Sequence, residues 1–483
     1  MTNQNAFNST SSSHTSVVAF RVAALSVLVL VLSLAANAAG KTKAAKPCEF
    51  SDASFDVATN AHALEDYQNA IAELLKEKKF KDLDCLANEA RAGKTRFSGG
   101  AWKLRQLYIG LDSPRPGHPT EVEWKAHMKL IENWKDSYPK SVTAPIALAE
   151  SYVSYGWAAR GTGYSDDVSQ SGWKLFGQRA AKAKQILNDA AVGGVKCPDW
   201  YIAMQLVSRA EGWPLEQARD LFLKAAKFEP GYQYYYRVFA GYLQPKWSGK
   251  EGDAARFAEE WADRIGGEAG DLLYYQIAEV IVCACADPEF GHFSWARAQK
   301  GFAALEKTYG PSLVSVNAFA LMATKNTEWV LADTEFKRIG DQWVKDTWTS
   351  EQWFNQMRGL SAQLAPQKSA LLGNRREAGD NQRTKEGQEY QKEAEHKLLA
   401  YEQKCLKEAG VGEPKFDVLL LVAKDGDIQD MKSDQTPGQF STCVSRALYV
   451  AHANKETPLP APPRDGYWVM ITLDPSVVSA SVK

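Results

Sequence analysis

The sequence has almost no net charge, since 57 Lys and Arg residues are balanced by 58 Asp and Glu residues over 483 positions. Binding to a polyanion depends on an excess of basic residues, so this balance argues against a nucleic-acid partner. The chain is much longer than a single hydrophobic core requires, and 45% of it is apolar. We therefore expect two or more domains.

Catalytic signature motifs are also lacking. The sequence has no HExxH, no GxSxG and no Gly-rich strand-to-helix turn. Two Gly-Lys-Thr triplets, at residues 40–42 and 93–95, lack the earlier glycine of a phosphate-binding loop, because Ala35 and Asn88 occupy its place. We expect a non-enzymatic protein without a cofactor. A hydrolase stays an alternative, since a pair of carboxylates facing one cleft would be enough for it.

Charge is scarce in the apolar run at residues 17–36, where Arg21 is the single charged residue. The uncharged part of this run is shorter than a bilayer-spanning helix needs. Residues 36–38, Ala-Asn-Ala, form a small-x-small cleavage pattern. We predict a secretory signal at residues 1–38 and an exported protein. An uncleaved signal, which would then be the chain's contact with a membrane, is the alternative.

Seven cysteines follow this signal, so an oxidising compartment would leave at least one thiol unpaired. Cys405, just ahead of the C-terminal region, and Cys443, within it, are the predicted disulfide. Cys48 and Cys85 are a second candidate pair.

Cys283 and Cys285 lie two residues apart in a helical pattern, which places them on different faces. Neither a histidine nor a third cysteine lies at zinc-finger spacing, so we expect buried thiols and no metal site.

Apolar residues recur at intervals of three and four from residue 55 to about residue 365, with short breaks at Gly, Pro and Asn. This pattern predicts paired helices of an α-solenoid, in which each pair buries its apolar stripe against the next. No clean repeat length can be counted, so the predicted solenoid is irregular. Residues 367–403 have few aromatics and many charges, and cannot bury a core of their own.

A different pattern begins at Phe416. Residues 416–423 form a short apolar β-prone run, and the Asp425-Gly426 turn predicts a hairpin with residues 427–432. A helix at residues 437–453 and a strand at residues 467–473 complete a ββαβ order. The predicted fold is mainly α, with an irregular solenoid and a small α+β domain at the C-terminus. Its parts are a signal peptide (1–38), an exposed segment (39–54), a helical domain (55–365), a charged linker or solvated helix (366–410) and the α+β domain (411–483).

Two parts of the chain resemble known families. Residues 215–230 carry the small, aromatic and terminal proline positions of a tetratricopeptide repeat, and residues 157–164 and 232–249 are similar to an uncharacterised bacterial family of tetratricopeptide-like helical proteins. That resemblance covers about residues 138–264. It implies a helical fold and a bacterial envelope setting, and it transfers no activity.

The C-terminal region resembles the C-terminal domain of TonB-type energy transducers over about residues 412–475. The matching features are the Phe416 strand, the Asp425-Gly426 turn, the helix at residues 443–449 and the Pro462-Pro463 pair before the last strand. The rest of the chain departs from TonB, so energy transduction is not implied. The resemblance does suggest that an exposed strand edge pairs with a partner peptide.

Candidate binding residues lie in the aromatic segments of the helical body. They are Trp157, Arg160, Tyr164, Trp173, Tyr232, Tyr235, Lys246 and Trp247. An aromatic-walled groove with Arg160 or Lys246 as its charge would suit a peptide or a sugar. Packing between helices is the interpretation that we favour, because aromatic stripes at helical spacing usually belong to a core.

The expected function is therefore that of a bacterial envelope scaffold or binding protein, in the periplasm or outside the cell, whose solenoid engages a protein or peptide partner. A carbohydrate or peptidoglycan binder that uses the Trp/Tyr groove is one alternative. The carboxylate-pair hydrolase is the other.

Overall fold

The computed structural model describes residues 48–115, 117, 119–161, 168–282, 288–409, 414–433, 435 and 437–481. Residues 52–483 form one compact unit, distinct from residues 1–51. The predicted signal at residues 1–38 lies outside the described residues, as do Tyr164, Cys283 and Cys285.

Helices dominate the unit, and three strands lie near its C-terminus. The helices of the body are α1 (Ala63–Lys76), α2 (Phe80–Gly93), α3 (Lys103–Leu111), α4 (Glu121–Ser137), α5 (Thr143–Arg160), α6 (Gln170–Ala190), α7 (Pro198–Ala210), α8 (Leu215–Phe228), α9 (Tyr234–Tyr242), α10 (Asp253–Ile265), α11 (Gly267–Ile281), α12 (Trp295–Tyr309), α13 (Leu313–Lys325), α14 (Trp329–Ile339) and α15 (Lys345–Trp348). The C-terminal elements are α16 (Glu351–Gln382), α17 (Lys385–Ala409), β1 (Phe416–Val422), β2 (Ile428–Lys432), α18 (Gln439–Ala453), β3 (Tyr467–Leu473) and α19 (Pro475–Ser481). The prediction of a mainly α fold with a small α+β part is confirmed.

The helices of the body form two layers. Each helix packs against a neighbour in sequence, as α5 does on α6 and α11 on α12. The odd-numbered helices from α1 to α13 also contact one another in order, which makes them an inner layer. The inner helix α13 is buried around most of its circumference, whereas the outer helix α10 buries one apolar stripe. The all-round apolar helices are therefore the inner ones.

The beginning of the body contacts its end. The backbone N–H of Leu313 donates to the carbonyl oxygen of Val57 at 3.1 Å, and that of Gly99 donates to Gly310 at 3.1 Å. Gly99 has a φ of 75°, and a Cβ at this position would lie 2.3 Å from the Cβ of Ser312. The close approach thus requires glycine there. The helical layers close on themselves instead of ending as an open stack.

The three strands form an antiparallel sheet in the order β2-β1-β3. The hairpin between β1 and β2 turns at Asp425 and Gly426, as the sequence predicts. Gly426 has a φ of 90°, and a Cβ there would lie 2.1 Å from the carbonyl oxygen of Leu459. The turn therefore needs glycine for its conformation and for its contact with the segment before β3.

Both faces of the sheet are covered by helices. On one face, Leu371 and Ala378 of α16 pack against Leu419 and Trp468. On the other face, α17, α18 and α19 enclose a core built around Val418. The second half of α16 and the helix α17 therefore belong to the C-terminal core, whereas Phe354 and Met357 at the start of α16 pack in the core of the body.

A disulfide joins α17 to α18 through Cys405 and Cys443, the pairing that the sequence favoured. Cys85 is disulfide-bonded as well, and its pairing with Cys48 stays a prediction. Of the described cysteines, Cys197 is free and buried.

Residues 366–410, expected to be a charged linker or a solvated helix, lie in α16 and α17 up to Ala409, with most side chains exposed and a buried stripe on each helix. The helix α16 continues through Pro366, where a helix would ordinarily stop, and α17 buries Ala394 and Leu398. Near the end of α16, the amides of Asn381 and Gln382 donate to backbone carbonyls of β3 at 2.8 and 3.1 Å. None of the helices in the described ranges is long and apolar enough to cross a lipid bilayer.

Candidate functional site

A cavity of about 400 Å³, which we call the central cavity, lies between helices of the inner layer and is lined by both polar and apolar residues. Its lining comes from α1, α3, α9, α11 and α13, with the segments around residues 99–101 and 344–347. Because α1 and α13 both contribute, the cavity exists only when the body closes on itself. Its size lies within the range of about 300–1,000 Å³ that is common for ligand sites.

Arg237 and Glu279 carry opposite charges in the central cavity. The Arg237 guanidinium lies 3.7 Å from Glu279 and 5.4 Å from the centre of the Tyr234 ring. The Tyr234 hydroxyl accepts a hydrogen bond of 3.2 Å from Gln106, whose own amide oxygen accepts one of 2.7 Å from Gln68. The ring beneath the guanidinium is thus held in place. The separation of 3.7 Å exceeds a hydrogen bond, so both charged groups keep bonding capacity.

Gln276 supplies an amide to the same cavity. It is 5% exposed, and it makes no hydrogen bond with another residue of the described ranges. A side-chain amide offers two donors and an acceptor. The polar atoms of Gln276 are not among the fully buried side-chain atoms that lack a partner, so they face the cavity and are open to a polar ligand.

Four of the sequence-predicted site residues come together elsewhere, at the end of α5. The Trp157 ring lies 5.7 Å from the Trp247 ring, and the Arg160 guanidinium lies 5.3 Å from Trp157 and 5.0 Å from Trp173. Helix α5 ends at Arg160 because Gly161 follows with a φ of 79°. Trp173 is 40% exposed, whereas Trp157 and Trp247 are half-buried. We call Trp157, Arg160, Trp173 and Trp247 the Trp–Arg cluster.

Arg209 joins this cluster and was missed by the sequence reasoning. Its guanidinium lies 5.7 Å from the Trp157 ring and 5.2 Å from the Trp247 ring. Burial lowers the pKa of Arg209, and among the described residues no carboxylate lies within ion-pair distance of it. An arginine in the last turn of a helix is expected to interact with the helix end, so its position gave no signal.

Tyr232 and Tyr235 do not wall a groove, in contrast to the binding interpretation. Both are fully buried in the core of the body. The Tyr232 ring packs 4.7 Å from Trp102, and its hydroxyl donates a 2.6 Å hydrogen bond to Asp199. Lys246 is exposed. The helical spacing of the tyrosines therefore reflects packing.

The Tyr232 hydroxyl belongs to a buried charge network. Nη1 of Arg105 donates to both carboxylate oxygens of Glu150 at 2.8 Å and to Asp199 at 2.9 Å. Burial raises the pKa of Glu150 to about 8, against the opposing effect of Arg105. Burial also raises the pKa of Asp199. The network holds α3, α5 and α7 together. Because one guanidinium faces two carboxylates, one of these carboxyl groups tends to keep its proton.

No family model, curated protein or solved structure matches the chain.

Replacing Glu150 should change how stability depends on pH. A carboxyl whose pKa rises on folding, here from 4.5 to about 8, takes up a proton when the chain folds. The free energy of unfolding should thus fall between about pH 5 and pH 8, by up to about 1.4 kcal/mol per pH unit. We expect Glu150→Gln to flatten this slope in urea denaturation followed by tryptophan fluorescence.

The exposed Glu65 provides the matched control, because Glu65→Gln should leave the slope unchanged. An unaltered slope in Glu150→Gln would mean that the proton is not held in the Arg105 network.

Proposed function

We propose that the chain is a non-enzymatic scaffold of the bacterial cell envelope whose helical body binds a short segment of a protein or peptide partner. The observation that carries this proposal is the central cavity, which combines the unpaired Gln276 amide with the loosely paired Arg237 and Glu279. This set supplies donors, acceptors and both signs of charge.

A peptide fits this set better than an apolar ligand does. Peptide bonds present one donor and one acceptor each, which is what the Gln276 amide can satisfy. The Arg237 guanidinium and the Glu279 carboxylate match a charged side chain or a chain terminus. A volume of about 400 Å³ admits a few residues, so the cavity would hold the end of a segment or one loop of it.

The two resemblances are consistent with a binding role. Paired helices in two layers support the tetratricopeptide-like interpretation of the body. The ββαβ order and the β2-β1-β3 sheet support the TonB-like interpretation of the C-terminal part. Asn381 and Gln382 already bond to carbonyls of β3, so strand pairing with a partner would have to use the edge of β2.

An exported location is supported by the Ala-Asn-Ala cleavage pattern at residues 36–38 and by the Cys405–Cys443 disulfide. Disulfides form and persist in oxidising compartments, whereas the bacterial cytosol keeps thiols reduced.

Peptide binding is tested by filling the central cavity. Peptides selected from a random display library on the full chain should bind Val280→Trp at least tenfold more weakly, because Val280 is an exposed residue of the cavity lining and a tryptophan there would occupy it. Val192→Trp, at an exposed position outside the cavity, should bind them as the unaltered chain does. Affinities would be measured by calorimetry.

Equal binding to both variants would mean that the peptide site lies outside the central cavity. A selection that enriches no peptide would refute a peptide-binding role. Mass spectrometry of the recovered peptide separates binding from hydrolysis. Cleavage of the peptide would favour the carboxylate-pair hydrolase, whose two carboxylates would be Glu279 and Asp346 of the cavity lining.

Export is tested by thiol labelling in a bacterial host. In the chain with residues 1–38, Cys405 and Cys443 should resist a maleimide reagent added to acid-quenched, unfolded protein. In a chain without residues 1–38, both should be labelled, because the cytosol is reducing. Cys197 should be labelled in both and serves as the internal control. Labelling of Cys405 in both chains would contradict export.

Glycan binding is the second candidate function, and it is favoured by the exposed Trp173 ring beside the Arg160 guanidinium. Indole faces stack on sugar rings through their apolar area. Titration with muramyl-peptide fragments should change the tryptophan fluorescence, and Trp173→Ala should weaken the response at least tenfold. Tyr138→Ala, at another exposed aromatic, is the control. A flat titration of the unaltered chain would reject this candidate.

A further inference from the structure

A second cavity, of about 550 Å³, lies in the C-terminal region between α17, β3 and α19, and is called the C-terminal cavity below. Leu399, Ile471 and Val478 give it an apolar wall. Glu395 and Glu402 of α17 also line it. It is far from the central cavity in sequence and shares no residue with it.

Glu402 is the unusual residue of this cavity. It is 6% exposed, yet it has neither a hydrogen bond nor an ion pair with another residue of the described ranges. Several buried carboxylates of the described residues are paired, such as Glu150 and Asp199 with Arg105, and Glu335 with Arg338. The carboxylate oxygens of Glu402 are not among the fully buried atoms that lack a partner, so they are open to the cavity, and Glu402 is the group whose pairing a ligand would complete.

Charges on the neighbouring elements do not neutralise Glu402. On α17, the cavity lining includes the exposed Lys392 and His396, and Glu395 accepts a 2.8 Å hydrogen bond from Gln391. Lys415, ahead of β1, bonds to Asp474 at 3.1 Å. The β3 residues of the lining, Ile471 and Thr472, are uncharged.

The electrostatic consequence is seen in the pKa of Glu402. Burial, with the nearby Glu395 and Asp474, raises this pKa to about 7. The carboxyl is therefore poised to lose its proton when a positive charge arrives near neutral pH.

We propose that the C-terminal cavity binds an alkylammonium group, with Glu402 as the counter-charge and the Leu399, Ile471 and Val478 side chains around the aliphatic stem. A lysine side chain of a peptide and a free alkylamine share this chemistry. Each buried methylene of the stem contributes about 0.8 kcal/mol, in addition to the charge pairing. A hard metal cation does not fit, because it takes six or more oxygen ligands. The lining has three carboxylates, and two of them, Glu395 and Asp474, already hold Gln391 and Lys415.

Affinity should depend on pH in a defined direction. The cation binds the ionised form of Glu402, so at a pH below about 7 a proton must first leave. Between pH 8 and pH 6 the ionised fraction falls from about 0.9 to about 0.1, so the affinity should fall about tenfold.

The test is calorimetric titration of the full chain at pH 8 and pH 6 with two probes, pentylamine and the blocked peptide acetyl-Ala-Lys-Ala-amide. Pentanol and acetyl-Ala-norleucine-Ala-amide are their neutral analogues. Glu402→Gln should weaken binding of the cationic probe at least tenfold at pH 8 and remove the pH dependence. Glu393→Gln, at an exposed position of the same helix, should behave as the unaltered chain.

Folding and binding can be separated, because Glu402→Gln removes an unpaired buried charge and should leave the melting temperature equal or higher. Binding of both cationic probes supports the proposal. If the peptide alone binds, the proposal is supported and the natural ligand is a lysine side chain of a protein. If pentylamine alone binds, the proposal is supported and the natural ligand is a free amine. The proposal is overturned if neither probe binds more tightly than its neutral analogue, or if Glu402→Gln binds as tightly as the unaltered chain.

Discussion

The arrangement of the helical body depends on one buried guanidinium. Arg105 of α3 is bonded to Glu150 of α5 and Asp199 of α7, and Asp199 in turn accepts from Tyr232 just before α9. Four successive helices of the inner layer are thereby fixed to one point. A buried charge pair is a weak source of net stability, because desolvation offsets most of its attraction. It constrains the helices all the same, because separating Arg105 from either carboxylate would leave a buried charge unpaired.

The central cavity follows from this constraint and from the closure of the body. Tyr234 lies two residues after Tyr232, and Arg237 is one turn further along α9. The position of α9 therefore determines where the Arg237 guanidinium and the Tyr234 ring beneath it lie in the cavity. The opposite wall comes from α13, whose first residue, Leu313, bonds to Val57 ahead of α1. A ligand bound in the proposed site would therefore stabilise the closed body, because it binds the folded state alone.

The C-terminal part shows the same principle with different elements. Its sheet is too small to bury a core alone, so α16 covers one face while α17, α18 and α19 cover the other. The charged composition of residues 366–410 hides this role, because the exposed polar residues of these two long helices outnumber the buried apolar ones. The unpaired Glu402 lies on such a stripe, where a charged residue is ordinarily paired.

Local sequence patterns determined the helices, the hairpin at Asp425-Gly426 and the ββαβ order of elements along the chain, because periodicity and turn chemistry act over a few residues. The order of the strands within the sheet came from the tertiary structure. They also favoured core packing for the aromatics, and Tyr232 and Tyr235 are indeed buried. Only the tertiary structure decided which polar residues face a cavity and which pair with each other. Arg105, Glu150 and Asp199 come from three separate helices, and the Leu313 contact with Val57 spans most of the body. Such contacts join positions far apart in the chain, so the spacing of residues along it carries no signal for them.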